Sequence, residues 1–171
     1  NKAIHYFTLA AEKGCPESQF YLFKIYFFGE YVTKDISKAI YYLTLASNQD
    51  HPLAQFCLGS MYYTGYDVSR DIKKGIYYIM LASMNGGKLA NFAHGFLLHE
   101  GKYVKRDIEK AIHYYKEASS FNIQYAKNNL GILYMYGFEN IEKRIGNAIE
   151  YFEEAIRQTN DCLAMYNLAH F

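Results

Sequence analysis

The chain has 171 residues, 51% of them hydrophobic and 20% charged, with a formal net charge of +1. That apolar share can bury a continuous core. The neutral balance offers no basic surface for nucleic acid or an anionic membrane, and no apolar run approaches the ~20 residues of a membrane-spanning helix.

Taken in order, the predicted elements are all helices. Lys2-Ala3-Ile4 opens the first. Pro16 stands where a first helical turn tolerates proline, and Gly29 ends that second helix by taking the left-handed conformation at little cost. Asp35 suits the N-cap of the third helix, on which Ala39, Tyr42, Leu43 and Ala46 share one face. The fourth helix runs from about Pro52 to Tyr63, with Ala54, Leu58 and Tyr62 on one stripe, and stops at Gly65. The same order then recurs. Lys2, Lys38, Lys74 and Lys110 are 36 residues apart, as are Gly29, Gly65, Gly101 and Gly137. Tyr6, Tyr42, Tyr78 and Tyr114 repeat at a packing position, with Tyr151 one residue late as the fifth copy. Asp71 and Asp107 repeat the cap, whereas Arg144 takes that place before the fifth copy, beside an added residue, so the connection there should differ locally. Val32, Val68 and Val104 follow the glycines and should tuck each loop onto the core.

A fixed period of this length marks tandem helical hairpins. The units are 1–34, 35–70, 71–106, 107–143 and a partial 144–171, stacking as one solenoid in which each hairpin touches its neighbours. Gly59, Gly95 and Gly131 recur inside the second helix of successive units, where each costs roughly 1 kcal/mol against alanine; close approach of the partner helix, with no side chain between, is the expected reason. Phe23 occupies that column in the first unit, so the first pair should be splayed or Phe23 should pack upstream. Asn1 is not a natural start, and apolar residues at both ends (Ile4, Phe7, Leu168, Phe171) predict further repeats beyond one or both ends.

Cys15, Cys57 and Cys162 fall in different columns. An odd, unpaired set argues against a disulfide ladder and for a reducing, cytoplasmic setting.

Ala54, Leu58, Gly59, Tyr62, Gly65, Val68, Asp71, Lys74, Tyr77-Tyr78 and Ala82-Ser83 together resemble the Sel-like repeat family, relatives of the tetratricopeptide repeat, and the resemblance covers the whole chain. It implies a right-handed α/α superhelix and an adaptor role, as in membrane-protein degradation complexes and cell-wall or signalling systems. Some secreted bacterial relatives carry a disulfide in each repeat and bind penicillin-like compounds; this chain lacks those paired cysteines.

No catalytic set, metal site or cofactor motif emerges. His5 and His113 share a column three repeats apart, and His94 and His99 are five apart, not the three or four that puts two ligands on one helical face. Cys57 reads as a small buried hydrophobe. Gly86-Gly87-Lys88 lacks phosphate-loop spacing, Glu150, Glu153 and Glu154 read as a solvated helix face, and Lys105-Arg106 is too short a basic run for nucleic acid. The remaining signal is variation. On the first helix of each unit, three rows away from the packing face are expected to line a concave surface. They read His5, Tyr41, Tyr77, His113, Glu150; then Thr8, Thr44, Met80, Lys116, Glu153; then Glu12, Asn48, Met84, Ser120, Arg157. From these, Tyr41, Tyr77, Met80, Met84, His113 and Lys116 form the expected partner-binding surface, offering adaptable apolar contacts. The expected function is a non-catalytic protein or peptide scaffold, within a larger assembly; the alternative is the regulatory or localising part of an enzyme, such as a kinase fusion, whose catalytic domain lies elsewhere.

Overall fold

The computed structural model describes residues 2–121, 123, 125–138 and 141–170. Among them are α1 (Lys2–Glu12), α2 (Pro16–Phe28), α3 (Ile36–Ser47), α4 (Pro52–Thr64), α5 (Ile72–Met84), α6 (Lys88–Glu100), α7 (Ile108–Ser119), α8 (Ala126–Tyr136), α9 (Ile145–Thr159) and α10 (Cys162–Leu168). The expected all-α fold of helical hairpins is therefore the one found; β-pairing among the described residues is confined to an isolated bridge between Phe138 and Ile141. Two compact units form, Asn1–Ala90 and Asn91–Phe171. The first is built from α1 to α5, the second from most of α6 together with α7 to α10.

Local chemistry sets the helix boundaries. The side chains of Asp35, Asp71 and Asp107 accept hydrogen bonds from the backbone N–H groups of Lys38, Lys74 and Lys110 at 2.9–3.0 Å, each such cap contributing about 1 kcal/mol. Arg144 makes no side-chain cap for α9. The glycine stops at 29 and 65 are left-handed, with φ of 72° and 80°. Gly137 keeps a positive φ of 66° but an extended ψ of 155°, so the connection into α9 departs from the others as expected.

In the first unit, Ala39, Leu43, Ala46, Ala54, Leu58 and Met61 form a buried cluster with Phe23. Of the two outcomes expected for Phe23, upstream packing is not the one found. Phe23 joins α3 and α4, whereas Leu22 and Ile25 of the same helix face Ala11 of α1. In the second unit, Ala111, Tyr115, Leu130, Leu133, Ala148, Phe152 and Ala155 are buried together. Val32, Val68 and Val104 pack against these clusters. Of the repeated tyrosines, 42, 78, 114 and 151 are half-buried, but Tyr6 on α1 is 67% exposed. Ile4, Phe7 and Leu168 are partly buried; Phe171 lies outside the described residues.

The recurring helix glycines face the helix that follows them. A Cβ on Gly131 would lie 2.5 Å from the Phe152 ring, and one on Gly95 3.0 Å from Tyr115. Between α4 and α5 two glycines meet: a Cβ on Gly59 would lie 2.9 Å from the Ile79 nitrogen, and one on Gly75 2.6 Å from the Tyr63 nitrogen. There backbone packs on backbone.

Polar side chains tie the turns. Gln19 donates to the Ala11 carbonyl and accepts from Gln49. One repeat on, fully buried Gln55 donates to the Ser47 carbonyl and to Asp50, and accepts from Asn85. These bonds satisfy buried groups that cost ~1–3 kcal/mol when left unpaired.

His94 and His99 are packed histidines. His94 is buried and stacks on Tyr114 at 4.1 Å, and His99 lies 3.4 Å from the Tyr115 hydroxyl. Burial holds both below the ordinary imidazole value of 6.5, aided at His94 by Lys110 and at His99 opposed by Glu100 and aided by Arg106. The unfolded chain therefore takes up protons first as pH falls, and stability present above about 6.5 is lost below it. Urea midpoints should drop between about pH 7.5 and 5.5, and drop less in His94→Gln/His99→Gln; an equal drop in the double variant would contradict this.

Candidate functional site

The sequence of α2, PESQFYLFKIYFF, carries four phenylalanines spread over more than one face. Two directions are used for packing, one by Leu22 and Ile25 and the other by Phe23. Phe20, Phe27 and Phe28 are left to look toward α4, where Phe56, Cys57, Ser60 and Met61 face them. Between the two helices lies an open apolar groove of about 380 Å³, lined by these residues with Phe23 and Lys24. Aromatic contacts hold its ends. His51, whose Nδ1 accepts from the Ala54 nitrogen at 3.2 Å, stacks on Phe20 at 4.8 Å, and Tyr66 lies against Phe27 at 6.0 Å.

Electrostatically the groove is one-sided. Lys24 is the charged side chain in its lining, with its ammonium 5.2 Å from the Tyr21 ring. The Lys34 ammonium lies 5.5 Å from the Phe27 ring. Among the described residues neither lysine has a carboxylate within ion-pair distance; both sit over aromatic faces, an attraction of about 0.5–1 kcal/mol where exposed.

Cys57 is the groove's reactive group in name only. Burial pushes its thiol up to about 11, so roughly one molecule in a thousand is thiolate at a pH of about 8, and the thiolate is the nucleophile. Alkylation followed by mass spectrometry should modify exposed Cys162 first and Cys57 last, by a margin of at least ~10-fold. Equal rates would show that the Cys57 environment is wetter than this packing allows.

The six residues expected from the sequence lie outside this groove, four in the first unit and two in the second. Tyr41 on α3 and Tyr77 on α5 are 58% and 60% exposed, each meeting its neighbour, Tyr42 or Tyr78, edge-on. Met84 is 75% exposed and Met80 half-buried, both on α5. His113 and Lys116 are exposed on α7 in the second unit, His113 edge-on to Tyr114 at 5.2 Å. None of the six lines the α2–α4 groove. The signal that pointed to the groove was in the sequence: the phenylalanine run of α2, and the departure from glycine at Phe23. Phe23 supplies the apolar floor because it fills the column that glycine vacates elsewhere.

Elsewhere the chemistry is sparse. A polar hollow of about 280 Å³ in the second unit is lined by Lys105, Arg106, Asp107, Ile108, Glu109, Phe138 and Ile141, where both signs of charge meet and Arg106 stacks over Phe138 at 5.0 Å. Glu154 pairs with buried Lys127, while Glu150 and Glu153 are exposed. Among the described residues no group of three His, Cys, Asp or Glu is placed to hold a metal, and no helix is long and apolar enough to cross a membrane.

The Sel1 repeat family model matches residues 1–15, 16–51, 52–87, 88–120 and 124–160. No curated protein matches the sequence significantly. Among solved structures, a Sel1 repeat protein from Oxalobacter formigenes is 28% identical, with a TM-score of 0.89 over 99% of this chain and 48% of its own. A protective antigen of uropathogenic Escherichia coli with an SLR fold is 24% identical, TM-score 0.67, over 98% of this chain and 44% of its own; at that identity the likeness is one of fold. Helicobacter pylori cysteine rich protein B is 25% identical, TM-score 0.56, over 78% of this chain and 95% of its own. The chain thus spans about half the length of the first two. The match over nearly every hairpin, and the buried columns that explain it, place the chain in the Sel1 repeat family.

Proposed function

We propose that this chain is a non-catalytic scaffold that binds a protein segment, with the α2–α4 groove as its principal contact. The observation that carries this reading is the groove itself: half-buried Phe20, Phe27 and Phe56, with exposed Phe28, form an apolar surface left open among the described residues. Sel1 repeat proteins generally act as protein-interaction scaffolds, and family membership supports the same class of role here. Aromatic and Met side chains are enriched at protein interfaces, and a few well-packed aromatic anchors carry much of the binding energy there. The exposed row of Tyr41, Tyr77 and Met84, with Met80, is a second contact surface in this reading, and His113 with Lys116 supplies polar contacts in the second unit. Free thiols at Cys15, Cys57 and Cys162 support a reducing, cytoplasmic setting.

Two variants separate the faces in quantitative pull-downs from the native host. Phe28→Ser/Phe56→Ser should lose a partner that wild type retains, whereas Tyr41→Ser/Tyr77→Ser should lose only partners of the second surface. Full retention of every partner by both variants, each shown folded by circular dichroism, would overturn the scaffold reading.

A further inference from the structure

We propose that the α2–α4 groove selects an acidic amphipathic helix, its apolar side chains entering between Phe20, Phe27 and Phe56 and its carboxylates meeting Lys24 and Lys34. This rests on the scaffold reading of the same groove and adds the chemistry of the occupant.

The charge pattern carries the proposal. The wall is apolar on both helices, and no Asp or Glu lines it. Its charged lining residue is a lysine, and a second lysine stands over Phe27. Neither ammonium has an ion-pair partner among the described residues, so neither charge is neutralised by a carboxylate there, although each sits over an aromatic ring. At the lip of an apolar wall the effective dielectric is well below that of water, which strengthens attraction to a carboxylate and repulsion of a cation. A basic segment would leave three or more like charges facing across a low-dielectric gap; an acidic one completes two charge-assisted contacts.

Length points to a helix. Phe20 and Phe27 stand two helical turns apart on α2, about 10 Å at 1.5 Å per residue. That span matches anchors at i, i+4 and i+7 on one face of a peptide helix, the usual way an amphipathic helix enters a hydrophobic groove. A carboxylate one position from each anchor then falls beside Lys24 and Lys34. His51 and Tyr66 lie against Phe20 and Phe27 at the two ends; the exposed Glu17 carboxylate, which feels the His51 charge, stands outside the lining.

The test uses the whole chain and two labelled peptides of about 18 residues, long enough to hold helix in water. Both carry Leu at i, i+4 and i+7; one has Glu at the flanking positions and the other Lys. Fluorescence anisotropy at low salt should show wild type binding the Glu peptide at least ~10-fold more tightly than the Lys peptide, with the gap closing in about 0.5 M salt. Lys24→Glu/Lys34→Glu, two outward charges whose reversal leaves the core untouched, should invert the ranking. Equal affinities, binding of neither peptide, or a ranking unchanged in the reversed variant would overturn the proposal. So would binding of wild type to phosphatidylglycerol vesicles with no binding to either peptide, which would assign the cations to a membrane surface. If neither peptide binds while Phe28→Ser/Phe56→Ser still loses its cellular partner, the occupant's charge is wrong and the scaffold reading stands.

Discussion

Gly75→Ala is expected to destabilise the first unit by about 1–3 kcal/mol, although two simpler arguments predict the reverse. Alanine gains about 1 kcal/mol over glycine inside a helix, and the equivalent residues of other repeats are Ala39, Ala111 and Ala148. Packing decides against both. The new methyl would lie 2.6 Å from the Tyr63 nitrogen, 2.8 Å from its Cα and 2.9 Å from the Gly59 oxygen. All three are backbone atoms, so no side chain can swing away and α5 must back off α4 as a body. That separation also loosens the reciprocal contact, in which Gly59 faces the Ile79 nitrogen and the Gly75 oxygen. Gly146, in the first turn of α9, is the control, since nothing lies within 4 Å of a Cβ there; Gly146→Ala should gain roughly 0.5 kcal/mol. Urea melts followed by far-ultraviolet circular dichroism read both changes as midpoint shifts of opposite sign. A raised midpoint for Gly75→Ala would mean that the two helices are not held at backbone contact.

Phe152→Ala should cost about 3–5 kcal/mol, the largest single loss expected in the second unit. The ring is fully buried and lies over Gly131, against which a Cβ would meet three ring atoms at 2.5–2.8 Å. The pair therefore behaves as a knob and its socket. Gly131→Ala alone should destabilise by about 1–3 kcal/mol through overpacking. With the ring removed, the same methyl enters the vacated space and adds helix propensity, so Gly131→Ala should stabilise Phe152→Ala. The double-mutant cycle then returns a coupling of more than about 1 kcal/mol. Additive effects would show that ring and glycine are not in contact.

These pairs explain what the sequence could disclose. Every feature dictated by stacking repeats at a fixed spacing, so Asp35, Asp71 and Asp107 as caps, Gly29 and Gly65 as stops, and the Ala39/Leu43/Ala46 face were all legible from one chain. The glycine columns were legible as anomalies, but not which helix they admit: Gly131 faces Phe152 across the long loop rather than its own hairpin partner. Phe23 was misread for the same reason, since a column identifies a position and not a direction. The groove escaped notice because it belongs to no single helix. It exists only where α2 and α4 stand side by side, and a wheel drawn on the first helix of each pair looks at the other series. Tyr41, Tyr77 and Met84 are exposed on their helices; helical periodicity gives an outward direction and not the shape of the surface it reaches.

The most direct test of the account is site-specific photo-crosslinking of the full chain in its native host, with a benzophenone amino acid placed at Phe56 in the groove or at Leu53 on the outer turn of α4. The account predicts a discrete protein adduct from position 56 that is absent from position 53 and abolished by Phe28→Ser. Adducts of equal yield from both positions, or none from position 56 in a folded chain, would contradict it.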